Sequence, residues 1–143
     1  MDKVAKEILL NEFGELFAKA YDYAVSEVTN SVSQMDTASH PRFAALEEYL
    51  SERDETVRLQ KFARYAMQVF AFNLLQSIDE SEKFDIVMRE EGHSDILLSE
   101  VSELLAQEAD NWCRMYSDYG SAISEVGDIY DRITRQPWSL NPE

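Results

Sequence analysis

The chain of 143 residues is poor in the residues that punctuate or staple a fold: one cysteine, two histidines, four glycines and three prolines. A single cysteine, Cys113, excludes an intramolecular disulfide and any zinc site built from several thiolates, and it fits a reducing compartment. The expected location is the cytoplasm. So few glycines and prolines leave little material for tight hairpins. No stretch approaches the roughly 18 to 20 uninterrupted apolar residues of a membrane helix. Residues 1–10 mix acids with Lys3 and Lys6 around the short run Ile8, Leu9 and Leu10, which is not the pattern of a secretory signal.

Positive charge is the other shortage. Thirteen Lys and Arg face 28 Asp and Glu, for a formal net charge of −15. The imbalance is concentrated: residues 76–131 hold fifteen acids against Lys83, Arg89 and Arg114, a local charge of −12. A magnitude of about 2 to 8 is enough to keep a small domain soluble. Phosphate backbones and anionic lipids would be repelled by such a surface, so neither nucleic acid nor membrane is expected as a direct partner.

What is present is core-forming material, with 45% apolar residues and 11% aromatics. That suffices for one ordinary domain spanning 1–143, and the regular spacing of its apolar positions argues for an all-α fold, a helical bundle of about five helices. Over residues 2–33, Ile8, Leu9, Phe13, Leu16, Phe17, Ala20, Ala24 and Val28 recur at intervals of three and four, the stripe of an amphipathic helix. The polar stretch around Asp36, Thr37 and Ser39 separates it from a short helix opened by Pro41 and running to about Arg53, with Phe43, Leu46 and Leu50 on one edge. Asp54 is the expected N-cap of a third helix reaching about Ile78. Residues 65–75 of that helix carry no charge and are apolar on every side, which predicts a buried, central helix whose Gln68 and Asn73 find internal partners.

Residues 79–93 have no clear period and read as strand-like or irregular. Ser94 and Asp95 resemble a helix start, giving a fourth helix to about Tyr119. Its broad apolar face would hold Leu97, Leu98, Val101, Leu104, Leu105, Trp112, Met115, Tyr116 and Tyr119. Gly120 ends it, and a last helix covers about residues 121–133, with Pro137 as a stop and Trp138 tucked onto the bundle.

Chemistry-bearing patterns are sparse. Helical di-iron sites need Glu-x-x-His pairs on facing helices, and the chain offers at most one, Glu90 to His93. On the expected fourth helix Glu100 and Glu103 lie one turn apart and, with Asp110, are able in principle to ligate a hard cation. Two carboxylates at that spacing are also the ordinary solvated face of an acidic helix, and no metal or cofactor is expected. His40 and His93 fall in loops without a nucleophile nearby, and Cys113 sits in an acidic setting that disfavours its thiolate. Glu108 projects into the middle of the expected apolar face. Its functional reading is an internal proton or ligand site; its structural reading, which is favoured, is an interhelical ion pair, with Arg58, Arg64 or Arg89 as candidates, or a local break around residues 106–110.

The remaining constellation is the acidic region interleaved with aromatic residues. Carboxylates steer a basic partner from a distance, while tyrosine and tryptophan anchor it once docked. The expected role is therefore a non-enzymatic, acidic protein-binding module that neutralises a basic partner, such as a toxin or a nucleic-acid-binding enzyme, by occupying its basic surface. Its expected contact residues are Glu100, Glu103, Asp110, Asp118, Tyr116 and Tyr119, with Glu12 and Glu15 on the first helix as an uninvolved control. The alternative is a structural or adaptor bundle that self-associates or escorts a partner through a groove lined by Phe84, Met88 and Trp138.

Overall fold

The computed structural model describes residues 2–35 and 40–140, with the side chains of 136–140 left aside. The fold is all-α. Helices α1 (Lys3–Gln34), α2 (Pro41–Leu50), α3 (Glu55–Glu80), α4 (Leu105–Tyr116) and α5 (Ala122–Leu140) follow in chain order, and the long connection 81–104 between α3 and α4 holds an antiparallel pair of two-residue strands, β1 (Val87–Met88) with β2 (Ile96–Leu97). The polar stretch at Asp36, Thr37 and Ser39 lies outside the described residues.

Local capping chemistry places the first three helices. The Asp2 carboxylate accepts from the Ala5 N–H at 2.7 Å and that of Asp54 from the Val57 N–H at 3.0 Å. Each satisfies one amide left orphaned at a helix start, worth about 1 kcal/mol. Pro41 opens α2, as its fixed φ favours, and His40 proves to be the cap: its Nδ1 accepts from the Arg42 N–H at 3.1 Å.

Helix α3 is the centre of the bundle, in contact with the other four helices. It runs antiparallel to α1, since Phe17 meets Phe70 edge-on at 5.4 Å while the earlier Glu12 pairs with the later Lys83 at 2.6 Å. Helix α2 packs on α5, tied by Arg132 to Glu48, and Lys61 of α3 reaches Glu52 at 2.7 Å while lying 5.0 Å over the ring of Tyr49. The core gathers Ala24, Val28, Leu46, Tyr49, Leu50, Tyr65, Val69 and Ala122.

Gln68 and Asn73 of α3 do find partners. Gln68 donates to the Ser121 hydroxyl at 2.7 Å and accepts from the Ile123 N–H at 3.2 Å, while Asn73 donates to the Val69 carbonyl at 2.8 Å. Complete burial of α3, however, is corrected by the structure. Met67 is 73% exposed beside α1 and Leu59 is also open, while Phe72 is partly open on another side, in a hollow against α4 and α5, so the four neighbouring helices do not close around α3.

The fourth helix is corrected at its start. Residues 94–104 are not helical: Ile96 and Leu97 pair with Met88 and Val87, and a 3₁₀ turn, Leu98–Glu100, follows. The Asp85 carboxylate binds both the hydroxyl and the N–H of Ser99 and holds the chain in that turn. Leu104 has no capping side chain of its own. Instead the Asp79 carboxylate, from the end of α3, accepts from the Ala106 N–H at 3.1 Å and supplies the missing acceptor. The broad apolar face expected over residues 97–119 dissolves with this change. Leu105, Ala106 and Ala109 are buried, whereas Val101, Leu104, Met115, Tyr116 and Tyr119 are exposed.

Two further readings at the C-terminal end differ. Helix α4 ends at Tyr116 with Ser117 as its cap, three residues short of the expected stop, and Gly120, at a positive φ of 71°, lies in the turn that leads to α5. Pro137 does not stop the last helix, which continues through it to Leu140. A proline removes one donor and crowds the carbonyl four residues back, which kinks a helix without obliging it to end. The side chain of Trp138 lies outside those described.

Candidate binding site

The end of α3, the hairpin and the start of α4 enclose an open cavity of about 660 Å³. Its apolar wall comes from Ile78, Phe84, Val87, Leu97 and Leu105, and its acids are Asp79, Glu82, Asp85 and Glu103. Lys83 also lines it, but its ammonium is paired with Glu12 of α1. The acids divide into two kinds. Asp79 caps α4, and Asp85 is held by Ser99, whose hydroxyl hydrogen bond keeps the carboxyl below its ordinary value of 3.8. Glu82 and Glu103 are exposed and have no ion-pair partner among the described residues. Fixed carboxylates at the wall and free ones at the rim suit a cation carried on an aliphatic stem.

The six residues expected at the contact surface are not on one continuous helix face. Glu100 lies in the 3₁₀ turn and Glu103 in the loop beyond it, both exposed beside the cavity end of α4. Tyr116, Asp118 and Tyr119 cluster at the opposite end, where Tyr116 is 76% exposed. The two groups stand at opposite ends of α4, whose twelve residues span about 18 Å.

Asp110 stands between them and is engaged inside the bundle. Its Oδ1 accepts from the hydroxyls of Ser121 and Ser124, the latter at 2.6 Å, and Arg114 approaches Oδ2 at 3.6 Å. Ser121 in turn accepts from Gln68 and from the Ser124 N–H. Burial alone would raise the Asp110 pKa, but the two hydroxyl hydrogen bonds and the Arg114 charge outweigh it and hold the carboxyl below 3.8. The chain Gln68–Ser121–Asp110–Ser124 joins α3, α4 and α5 through satisfied polar groups, which rigidifies such a seam.

Glu108 meets neither structural expectation, since residues 106–110 lie inside an unbroken α4 and no candidate arginine pairs with it. It is half-buried in the first turn of α4, where the helix dipole favours an acid, and the Ser102 hydroxyl lies 3.4 Å from it. None of the three candidate arginines is its partner: Arg58 approaches Glu55, Arg64 pairs with Glu125, and Arg89 approaches Asp95. Among the described residues no group of three or more His, Cys, Asp and Glu is arranged to hold a metal ion, and no helix is long and apolar enough to cross a membrane.

The groove expected from Phe84, Met88 and Trp138 is not formed by the first two. Phe84 is turned inward against Phe13, ring centres 5.3 Å apart, while Met88 lies on the exposed hairpin. A different apolar groove, about 510 Å³, runs between α1 and α3 over Ala24, Val28 and Ala66, with Tyr21, Val25 and Met67 among its lining. Its signal in the sequence is a charge-free stripe on each helix. On α1 Leu10, Gly14, Phe17, Ala18, Tyr21, Val25, Val28 and Val32 succeed one another at helical spacing, and on α3 so do Thr56, Leu59, Ala63, Met67, Phe70 and Leu74.

No family model, curated protein or solved structure matches this chain.

Proposed function

We propose that the protein is an acidic protein-binding module that neutralises a basic partner, with the cavity at the end of α3 as the place where a lysine or arginine side chain of that partner is received. The observation that carries the reading is the cavity's composition: four carboxylates around an apolar wall, with its lysine drawn off by Glu12. A long basic side chain has that same division, an apolar stem and a charged head. Glu100 and Glu103 extend the negative potential at this end, and exposed Tyr116 and Tyr119 offer anchors at the other. The length of α4 between them, about 18 Å, is within the reach of an interface of ordinary size. Neutralisation would act by occlusion, the carboxylates occupying basic surface that otherwise meets phosphates.

The test is an affinity capture from native lysate at low salt and at roughly 0.5 M salt, comparing the wild type with the double reversal Glu82→Lys/Glu103→Lys. Glu12 is unsuitable as the control because it binds Lys83 at the cavity, so Glu7→Lys/Glu15→Lys on exposed α1 positions replaces it. A basic protein bound by wild type and control at low salt, shed at high salt and lost with the cavity reversal supports the proposal. Equal capture by both reversals removes it.

A further inference from the structure

The chain exposes 10569 Å². A compact monomer of its mass, 16.5 kDa, exposes about 7,500 Å². Part of the surplus of about 3,000 Å² is the charge-free face of α1 and α3. There Leu10, Phe17, Tyr21, Val25, Leu59 and Met67 all stand open to solvent. With whole aromatic side chains contributing about 150 to 250 Å² and aliphatic ones somewhat less, these six leave on the order of 800 Å² uncovered. That equals the area one partner contributes to a standard specific interface, about 800 Å². Phe17, Tyr21, Val25 and Met67 line the groove itself, with Leu10 and Leu59 toward opposite ends of the two stripes, and so much open apolar surface on one face is unusual for a soluble monomer.

Charge identifies what covers it. Two copies of a chain with net charge −15 repel each other over most orientations, and contact through residues 76–131 would set acid against acid. The α1/α3 face is where two copies meet without that cost, because neither stripe carries an ionisable acid or base. A basic partner gains nothing there. The surface has relief of both kinds: small Ala24 and Ala66 line a furrow, and exposed Tyr21, Val25 and Met67 line it too. A two-fold axis across the furrow sets the ridge of each copy into the groove of the other, the closed arrangement typical of soluble homodimers. We infer that the protein is a homodimer, joined as a four-helix layer by α1 and α3 of each copy, with the acidic ends of both protomers facing outward.

The inference stands on a different face from the cavity and predicts the opposite salt response, so the two fail separately. Sedimentation equilibrium of the wild type at micromolar concentrations should give twice the chain mass of 16.5 kDa. Raising salt from about 0.05 to 0.5 M should hold or tighten the dimer, because it screens repulsion between like-charged copies. Met67→Glu and, separately, Val25→Glu place acids in the interface at exposed positions and should halve the mass while leaving the helical circular dichroism signal intact. Glu100→Lys, remote from the face, should remain dimeric. A wild type of single-chain mass up to about 100 μM, or a dimer that survives both glutamate substitutions, overturns the inference.

Discussion

Residues 76–131 hold fifteen acids, while the stripes that flank the α1/α3 groove hold no charge at all. The first region is built from short elements tied by side-chain hydrogen bonds: Asp79 to Ala106, Asp85 to Ser99, Asp110 to Ser121 and Ser124. The second is two long antiparallel helices joined at the groove by ring contacts such as Phe17 with Phe70, with a long hydrogen bond from Asn73 to Glu27 away from it. The contrast teaches where specificity resides. Polar ties in one region need particular partners in particular places, whereas the other region asks only for apolar surface of the right relief.

The largest expected effect contrasts one buried and one open side chain. Leu105, 1% exposed, packs the start of α4 onto the bundle, and Leu105→Ala should cost about 2 to 5 kcal/mol in urea unfolding. Met67→Ala at the open face should change the stability of the isolated chain by no more than about 0.5 kcal/mol, and a change as large as that of Leu105→Ala would break the comparison. Next comes the polar seam. Gln68→Ala leaves the Ile123 amide without its acceptor and removes one of the two donors to the Ser121 hydroxyl, and a loss of about 1 to 3 kcal/mol is expected in the same measurement.

Acid should act on that seam as well. The Asp110 carboxyl is held below its ordinary 3.8, so the unfolded chain binds its proton at a higher pH than the folded one. Its contribution is complete above 3.8 and is lost as pH falls from there through the lowered folded value. Asp110→Asn should therefore flatten the fall in melting temperature over that acidic window, and an unchanged slope would show that Asp110 is not the group responsible. The smallest effect belongs to Tyr49, 2% exposed, whose hydroxyl has no hydrogen-bond partner among the described residues. Tyr49→Phe should be neutral or slightly stabilising, since it removes a buried polar atom that gains nothing from folding.

These differences also mark what was legible in the sequence. Helices α1 to α3 could be placed because their start signals are local: Asp54 caps its own helix and Pro41 opens its own. The centrality of α3 was legible for the same reason, from its own apolar run. The beginning of α4 was not, because its acceptor, Asp79, lies 27 residues earlier, and a pattern read along the chain assigns Asp95 instead. The proposed contact residues suffered accordingly: Glu100 and Glu103 lost their helix, Asp110 turned inward, and Asp79, Glu82 and Asp85 came to line a cavity without a sequence motif. The openness of α3 was hidden because apolarity on every side speaks to what a helix prefers to touch, and not to whether its own chain supplies the cover.

The capping of α4 by Asp79 has a consequence for the order of assembly. A twelve-residue helix is marginal in water by itself, and this one borrows the acceptor at its first turn from a helix already laid down. As the chain leaves the ribosome, the segment that becomes α4 has no start point until α3 exists to give it one. A peptide of residues 98–120 is therefore expected to show little helix by circular dichroism, and strong helicity in that peptide would show that α4 starts on its own. In this reading the last residues of α3 serve as a template, and the acidic end of the molecule is the part that arrives late.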